Sequence, residues 1–321
     1  MPVKSYSQNN EGSTNKALDK SINKMLRPNL FGHNFSITSQ TKSPFTGTYL
    51  QMNMGVGQTV GLDLPQIQID TNIIVTGRVG SITLTDLKIE YQAKLNNWLA
   101  FWLNYEIYGR LGTQPRTIFS QGINISTGYE FGWLFKLYED KRSLLSGSIS
   151  ATNTSYTILN LSSFIKKVIE NGGLTPDNKI VQTIPSLSVV AGLRYAYAFN
   201  KSFGLIALLE GGSGESLNKT DGDKFILNGG ATFDYDLLPA SNVPIGFSLG
   251  YYQNTFSILS EEKISTPQNI IAQISYTGKP DLNLGIEFFY AWAKSSFTTS
   301  ISNYEKTLQF YRLQGNLIYY F

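Results

Sequence analysis

A chain of 321 residues is long enough for one large domain or two ordinary ones, and its lack of cysteine excludes disulfides and thiolate chemistry. Its formal charge of +3 is too small to indicate a nucleic-acid partner, and its charged content is only 15%, against roughly 25% in soluble domains. No segment approaches the ~18 consecutive apolar residues of a membrane helix, so any lipid-facing surface must be carried by strands in which apolar and polar residues alternate.

Residues 1–45 are predicted to form an N-terminal extension ahead of the first strand. Apolar residues between Ala17 and Leu26 fall on one side of a helix spanning 14–27, and Pro28 ends it. This helix either docks into the following domain as a plug or belongs to a loosely ordered leader. The polar residues 3–8 are either the remnant of a signal peptide or an ordinary polar leader.

The remaining residues, 46–321, alternate between apolar and polar side chains. Leu50, Met52 and Met54 share one face of such a segment, with Gln51 and Asn53 opposite, and this period of two is typical of a strand. The same pattern predicts about twelve strands, near 47–58, 80–94, 98–112, 119–137, 143–157, 186–199, 203–214, 224–237, 244–257, 267–277, 282–294 and 308–321.

Short and long connections alternate between these strands. The short turns fall at 95–97, 139–142, 200–202, 239–244 and 278–281. The longer connections fall at 59–79, 113–118, 158–185, 215–223, 258–266 and 295–307. Tight periplasmic turns and long extracellular loops are typical of a transmembrane up-and-down antiparallel β-barrel, so the predicted fold class is all-β. An even number of strands places both termini on the periplasmic side.

The longest predicted extracellular loop contains a second helical pattern. Its apolar positions recur at helical spacing, and Gly172 and Gly173 end the segment. This loop helix narrows the barrel mouth, lies on the outer surface, contacts a partner, or packs within its own loop. The residues of its apolar face include Phe164, Ile165, Val168 and Ile169.

The last strand carries the most specific signal in the chain. Leu313, Leu317 and Tyr319 share an apolar face that ends on Phe321, the final residue, with Arg312 on the opposite face. This ending resembles the terminal strand of bacterial outer-membrane β-barrel proteins, a porin-like and transport class. The resemblance implies that Tyr319 and Phe321 belong to the signal read by the barrel-assembly machinery, and that outer-membrane lipid surrounds the strands.

If the apolar faces meet lipid, the opposite faces line the lumen. Ionisable side chains are costly to bury, so the lumen is either wet, as in a pore, or filled by a paired network, as in a plugged barrel. Acids and bases occur there in nearly equal number, which argues against strong selection by charge. The predicted lumen-lining residues are Lys88, Glu90, Lys94, Glu106, Arg110, Glu130, Arg194, Glu210, Asp234, Glu287 and Arg312.

Catalytic and metal motifs are weak. The only histidine, His33, precedes the first strand, so we expect a plain polar residue outside the barrel wall that cannot serve as a base there. Glu106 and Glu130 are explained more simply by ion pairing than by acid–base catalysis. Asp221 and Asp223 lie in a turn that lacks the spaced carboxylates of a calcium loop. The sequence therefore predicts no enzyme, no metal site and no cofactor.

Three functions remain open. The first is a passive or weakly selective channel for small solutes. The second resembles the fatty-acid transporter class and takes up hydrophobic compounds through an apolar pocket under the 161–171 helix, with Phe164, Ile165, Trp102 and Phe289 as its candidate residues. The third is a non-transporting barrel, a subunit that binds other outer-membrane or periplasmic proteins.

Overall fold

A computed structural model describes residues 27–63, 67–70, 73–75, 79–111, 122–159, 181–215, 223–254, 267–298 and 303–321. Within them, twelve long antiparallel strands close into one barrel. In chain order these are β3 (Tyr49–Asp63), β6 (Val79–Lys94), β7 (Leu99–Leu111), β8 (Gly122–Glu139), β9 (Ser143–Leu159), β10 (Val181–Ala198), β11 (Phe203–Glu215), β12 (Asp223–Asp236), β13 (Ile245–Asn254), β14 (Gln268–Lys279), β15 (Leu282–Thr298) and β16 (Asn303–Tyr320).

Smaller elements flank the barrel strands. β1 (Asn29–Leu30) pairs with β2 (His33–Asn34) ahead of the barrel, and β4 (Ile67–Asp70) pairs with β5 (Ile73–Val75) between β3 and β6. A single-turn helix, α1 (Leu238–Ser241), connects β12 to β13. In the described part of the chain, no helix is long and apolar enough to cross a membrane.

Each barrel strand pairs with its neighbours in sequence, and the first and last strands complete the ring. Leu317 of β16 lies opposite Met52 of β3, and the pairing continues from Tyr320 to Gln309. Among the described residues, every barrel strand is paired with a neighbour on both sides over its central part, so the wall makes its backbone hydrogen bonds between its own strands, as lipid requires.

Burial alternates along the strands as the sequence predicts. In β16, Tyr311, Leu313 and Leu317 are exposed, whereas Arg312 and Gln314 are buried. Lipid-facing aromatic and aliphatic side chains such as these form an apolar outer surface, and the polar side chains turn inward.

All twelve predicted barrel strands are present, with ends that differ by a few residues. The connection predicted at 295–307 is shorter than expected, because β15 continues to Thr298 and β16 begins at Asn303. Lys294 pairs with Thr307, and Phe297 pairs with Tyr304. These polar ends were missed because strands need apolar alternation only where they meet lipid.

Candidate functional site: the lumen loop and its wall carboxylates

Residues 27–48, here called the lumen loop, run inside the barrel. The amide of Arg27 donates to the carbonyl of Pro280 (2.7 Å), in the β14–β15 turn. The loop then ascends to an apex at Ser39–Lys42 and returns, so that Thr48 Oγ1 accepts a hydrogen bond from the amide of Lys94 (3.0 Å), at the end of β6. Both ends of the lumen loop therefore lie at the short-turn end of the barrel.

This path differs from the expected N-terminal extension over 1–45. Within the described part of that segment, residues 33–45 are buried or half-buried in the lumen instead of lying outside the wall, whereas Asn29, Phe31 and Gly32 stay exposed at the short-turn end. Most of the predicted helix over 14–27 lies outside the described residues. The residues that fill the lumen are irregular backbone following Pro28, and no helical pattern marks them.

An apolar layer anchors the lumen loop near the short-turn end. Phe35 is fully buried, and its ring lies 5.3 Å from that of Phe45. Wall side chains close around them. The whole cluster comprises Leu30, Phe35, Ile37, Phe45, Tyr49, Leu144, Ala196, Ala198, Ile206, Ile318 and Tyr320.

His33 is buried in the lumen, so the expectation that it is a plain polar residue outside the wall is wrong. Its Nε2 lies 3.1 Å from Asp234 Oδ2, and its Nδ1 lies 3.2 Å from the carbonyl oxygen of Lys201. Asp234 also accepts a hydrogen bond from the amide of Ser36 (2.8 Å). Gly204 permits this contact, since a Cβ there would lie 2.5 Å from His33 Nε2.

Glu287 holds the ascending arm near the apex. Its carboxylate accepts hydrogen bonds from the amide of Ser39 (2.8 Å) and from Ser39 Oγ (2.5 Å). Gln314 Nε2 donates to the same carboxylate (2.7 Å). Glu287 is fully buried, but its carboxylate accepts three hydrogen bonds, two of them from the lumen loop.

Lys42 crosses the lumen at the apex. Its Nζ lies 2.9 Å from Glu130 Oε1 on β8 and 3.1 Å from Glu210 Oε2 on β11. Burial alone would lower the pKa of Lys42, but the two carboxylates outweigh it and hold the pKa above its ordinary value. The ammonium group therefore stays charged at neutral pH and links two strands that are not neighbours.

Wall side chains also donate to the carbonyl oxygens of the lumen loop. Gln92 Nε2 donates to Phe45 (2.7 Å) and Gly47 (2.8 Å), and Asn316 Nδ2 donates to Ile37 (2.8 Å). These bonds satisfy a buried irregular segment whose backbone would otherwise lack partners.

The wall around the lumen loop carries more carboxylates than basic groups at its buried and half-buried inward positions. The carboxylates are Asp86, Glu90, Glu106, Glu130, Glu210, Asp234, Asp236 and Glu287, and the basic groups are Lys88, Arg110, Lys136, Arg194 and Arg312. Lys94, also predicted to line the lumen, is exposed at the short-turn end. The near balance predicted from the sequence does not include Asp86 and Asp236, although Asp86 shares its strand face with Lys88.

Some wall charges pair with each other. Arg312 Nη1 lies 3.3 Å from Asp86 Oδ2, Arg194 Nη2 lies 3.7 Å from Glu210 Oε1, and Tyr108 donates to Glu106. The lumen of the described structure is thus filled by a network of paired polar groups. The sequence left this arrangement open beside a wet pore.

Two predicted features are not confirmed. The helix residues Phe164, Ile165, Val168 and Ile169 lie outside the described residues. The apolar pocket expected under that helix stays a prediction, because Phe164 and Ile165 lie outside the described residues; its other two residues, Trp102 and Phe289, belong to separate buried clusters. Trp102 packs with Ala100 and Leu134, whereas Phe289 packs with Tyr252 and Ile271.

The two C-terminal aromatics of the expected assembly signal point outward. The rings of Tyr319 and Phe321 meet edge to face at 4.9 Å, and both are exposed. Their exposure leaves them available for contact from outside the barrel.

No group of three or more metal-ligating side chains occurs among the residues that the structure describes. The lumen contacts are hydrogen bonds and ion pairs between the lumen loop and the wall.

A closed antiparallel barrel with an apolar outer face and a polar, ion-paired interior is an integral outer-membrane β-barrel. No protein-family model matches the chain, and no curated protein matches it.

Solved outer-membrane barrels are similar in structure. An outer membrane channel from Pseudomonas putida F1 is 9% identical, with 90% of this chain and 100% of that one covered and a TM-score of 0.45. The β-domain of the Bordetella autotransporter BrkA is 12% identical, with 86% and 99% covered and a TM-score of 0.46. The translocator domain of the autotransporter NalP from Neisseria meningitidis is 10% identical, with 97% and 95% covered and a TM-score of 0.44.

Proposed function

We propose that the protein is an outer-membrane channel for small solutes, and that the lumen loop is its movable plug. The observation that carries this proposal is how the loop is attached. In the described part of the chain, the backbone hydrogen bonds between loop and barrel lie at the two ends of the loop, at Arg27 and Thr48. Between them, the loop is held to the wall by contacts that involve side chains.

Withdrawal of such a loop leaves the wall intact. The inter-strand hydrogen bonds of the barrel do not involve residues 27–48, so they survive when the apex moves. Both ends of the loop lie at the same end of the barrel, so the apex can leave toward that end without threading the chain through the lumen. A polar wall then lines a water-filled path, as in a porin.

A reversible cross-link tests whether conduction requires this movement. Ser36 Oγ in the loop and Ser275 Oγ on β14 lie 3.1 Å apart, so cysteines at both positions are placed to form a disulfide. Because the natural chain has no cysteine, the bond is unique in the S36C/S275C variant. In planar bilayers we expect few openings of the oxidised variant and frequent openings after reduction.

Matched controls distinguish the effect of the disulfide from the effects of the two substitutions themselves. The single variants S36C and S275C should conduct like the natural chain under both conditions. A second pair, T41C/T232C, replaces hydroxyls that lie 2.9 Å apart at the apex of the loop. Its disulfide should likewise make openings rare until it is reduced. Equal conductance of the oxidised and reduced double variants would show that the loop is a fixed part of a structural barrel, and the proposal would fail.

We propose further that the short-turn end faces the periplasm, where the assembly machinery reads Tyr319 and Phe321. A membrane-impermeant maleimide tests the orientation through a cysteine at Asn200, in the exposed β10–β11 turn. N200C should react only after the outer membrane of the cells is permeabilised. Reaction in intact cells would reverse the orientation.

A second candidate function, uptake of apolar compounds, is favoured by one wall of the lumen. Tyr252, Ile271 and Phe289 point inward from β13, β14 and β15, and Leu208 and Phe310 pack against them. If this wall guides solutes, F289N should slow the uptake of a small apolar probe into proteoliposomes and leave ion conductance unchanged. Equal uptake by F289N and the natural chain would remove this candidate.

A further inference from the structure

We infer that the lumen, once the lumen loop has left it, conducts cations in preference to anions. The inference rests on the proposed channel function and names the class of solute that the channel favours. It departs from the weak selectivity predicted from the sequence, where acids and bases appeared nearly balanced.

The balance changes because the neutralising charges sit on the lumen loop. Residues 27–48 contain Arg27, His33 and Lys42 but no aspartate or glutamate. The wall that surrounds them has an excess of carboxylates at its buried and half-buried positions. Loop and wall are therefore complementary, and withdrawal of the apex removes the ammonium group of Lys42 but no carboxylate.

The carboxylates that lose partners are those in contact with the loop. Lys42 departs from Glu130 and Glu210, and the donors of Ser39 depart from Glu287. Asp234 loses His33 and the amide of Ser36. Of these four carboxylates, Glu210 retains a basic wall partner, Arg194 at 3.7 Å. Among the hydrogen bonds from described wall residues, Glu287 retains only the neutral donor Gln314 (2.7 Å) and Asp234 only the neutral donor Ser248 (3.0 Å).

These carboxylates come from four separate strands, β8, β11, β12 and β15. They consequently face the passage from several sides of the barrel. Acidic side chains arranged around a pore attract cations and repel anions, and the low dielectric of the surrounding barrel strengthens the effect.

The test is the reversal potential of the full-length chain in a planar bilayer between unequal concentrations of KCl. We expect a potential of the sign that indicates preference for potassium. Two variants that break the same 2.9 Å ion pair, between Lys42 and Glu130, are then expected to change different properties of the channel. K42Q alters the departing loop and should open more often at an unchanged reversal potential. E130Q alters the wall and should move the reversal potential toward zero, and E130Q/E210Q should move it further.

D140N serves as a control, because Asp140 is an exposed carboxylate in the β8–β9 turn, outside the lumen. It should leave the reversal potential unchanged. Openings without preference for potassium, or a potential that is insensitive to E130Q/E210Q, would overturn the inference while the channel function stands. A complete lack of conductance, in the natural chain and in K42Q, would overturn both.

Discussion

Glu287 illustrates how a charge is kept in the interior of this barrel. Its carboxylate is fully buried and accepts three hydrogen bonds, two from Ser39 and one from Gln314. The cost of burying it is offset by these donors, so the loop and the wall depend on each other.

We predict that E287A releases the lumen loop. The substitution leaves buried donors unpaired, at a cost of about 1–3 kcal/mol, and each 1.4 kcal/mol is about a tenfold change in an equilibrium. The readout is the rate at which a maleimide labels S36C, since Ser36 is buried in the closed state. Labelling should be about tenfold faster in S36C/E287A than in S36C alone.

The matched control for E287A is E139A. Glu139 is an exposed carboxylate at the end of β8, paired with Lys136 at 2.6 Å. Its removal changes the net charge by the same amount but breaks no contact of the lumen loop. Equal labelling rates in the E287A and E139A backgrounds would show that Glu287 does not hold the loop in place.

At the scale of the element, one close approach between two barrel strands requires a glycine. Gly212 of β11 lies opposite Val190 of β10, and a Cβ on Gly212 would lie 2.0 Å from the carbonyl oxygen of Val189. The three atoms nearest to this point all belong to the backbone of β10, so a larger residue can be accommodated only if the strands move apart. Glycine is required here by the packing of two strands.

We predict that G212A destabilises the barrel by about 1–3 kcal/mol, the usual cost of overpacking. The neighbouring G211A is the control, because a Cβ on Gly211 would meet nothing closer than Ile226 O at 3.9 Å. The measurement is the urea concentration at which the compact, unboiled band disappears from a gel. A midpoint for G212A equal to that of G211A would contradict the prediction.

The elements differ in how much of them the sequence could predict. The barrel strands were found because lipid on one side and a polar lumen on the other impose alternation on every strand. The lumen loop was not found, because its contacts carry no local period. His33 lies 201 residues from Asp234 along the chain, and Ser39 lies 248 residues from Glu287. Such contacts become visible only when the barrel has closed around the loop.

At the scale of the whole molecule, the two faces of the wall have opposite requirements. Ile286 of β15 is 64% exposed and lies between Ile274 of β14 and Gly315 of β16. The side chain next to it in sequence, Glu287, is fully buried. A one-residue shift of this strand would place Glu287 in lipid, so the register of the barrel and the polarity of its two faces stabilise each other.

We predict that I286R impairs insertion and folding of the barrel. An arginine on the lipid-facing side near the middle of the membrane costs about 2–4 kcal/mol. The same substitution at Asn96, in the exposed β6–β7 turn, is the control and should be tolerated because the new guanidinium group stays in water. Both variants are folded into vesicles, and the folded fraction is read from the compact band at increasing urea. If I286R folds as well as N96R, Ile286 does not face lipid and the assignment of the two barrel faces is reversed. A urea midpoint of unfolding that is lowered in I286R but not in N96R supports an apolar outer face. It thereby also supports the interior position of the carboxylates that hold the lumen loop.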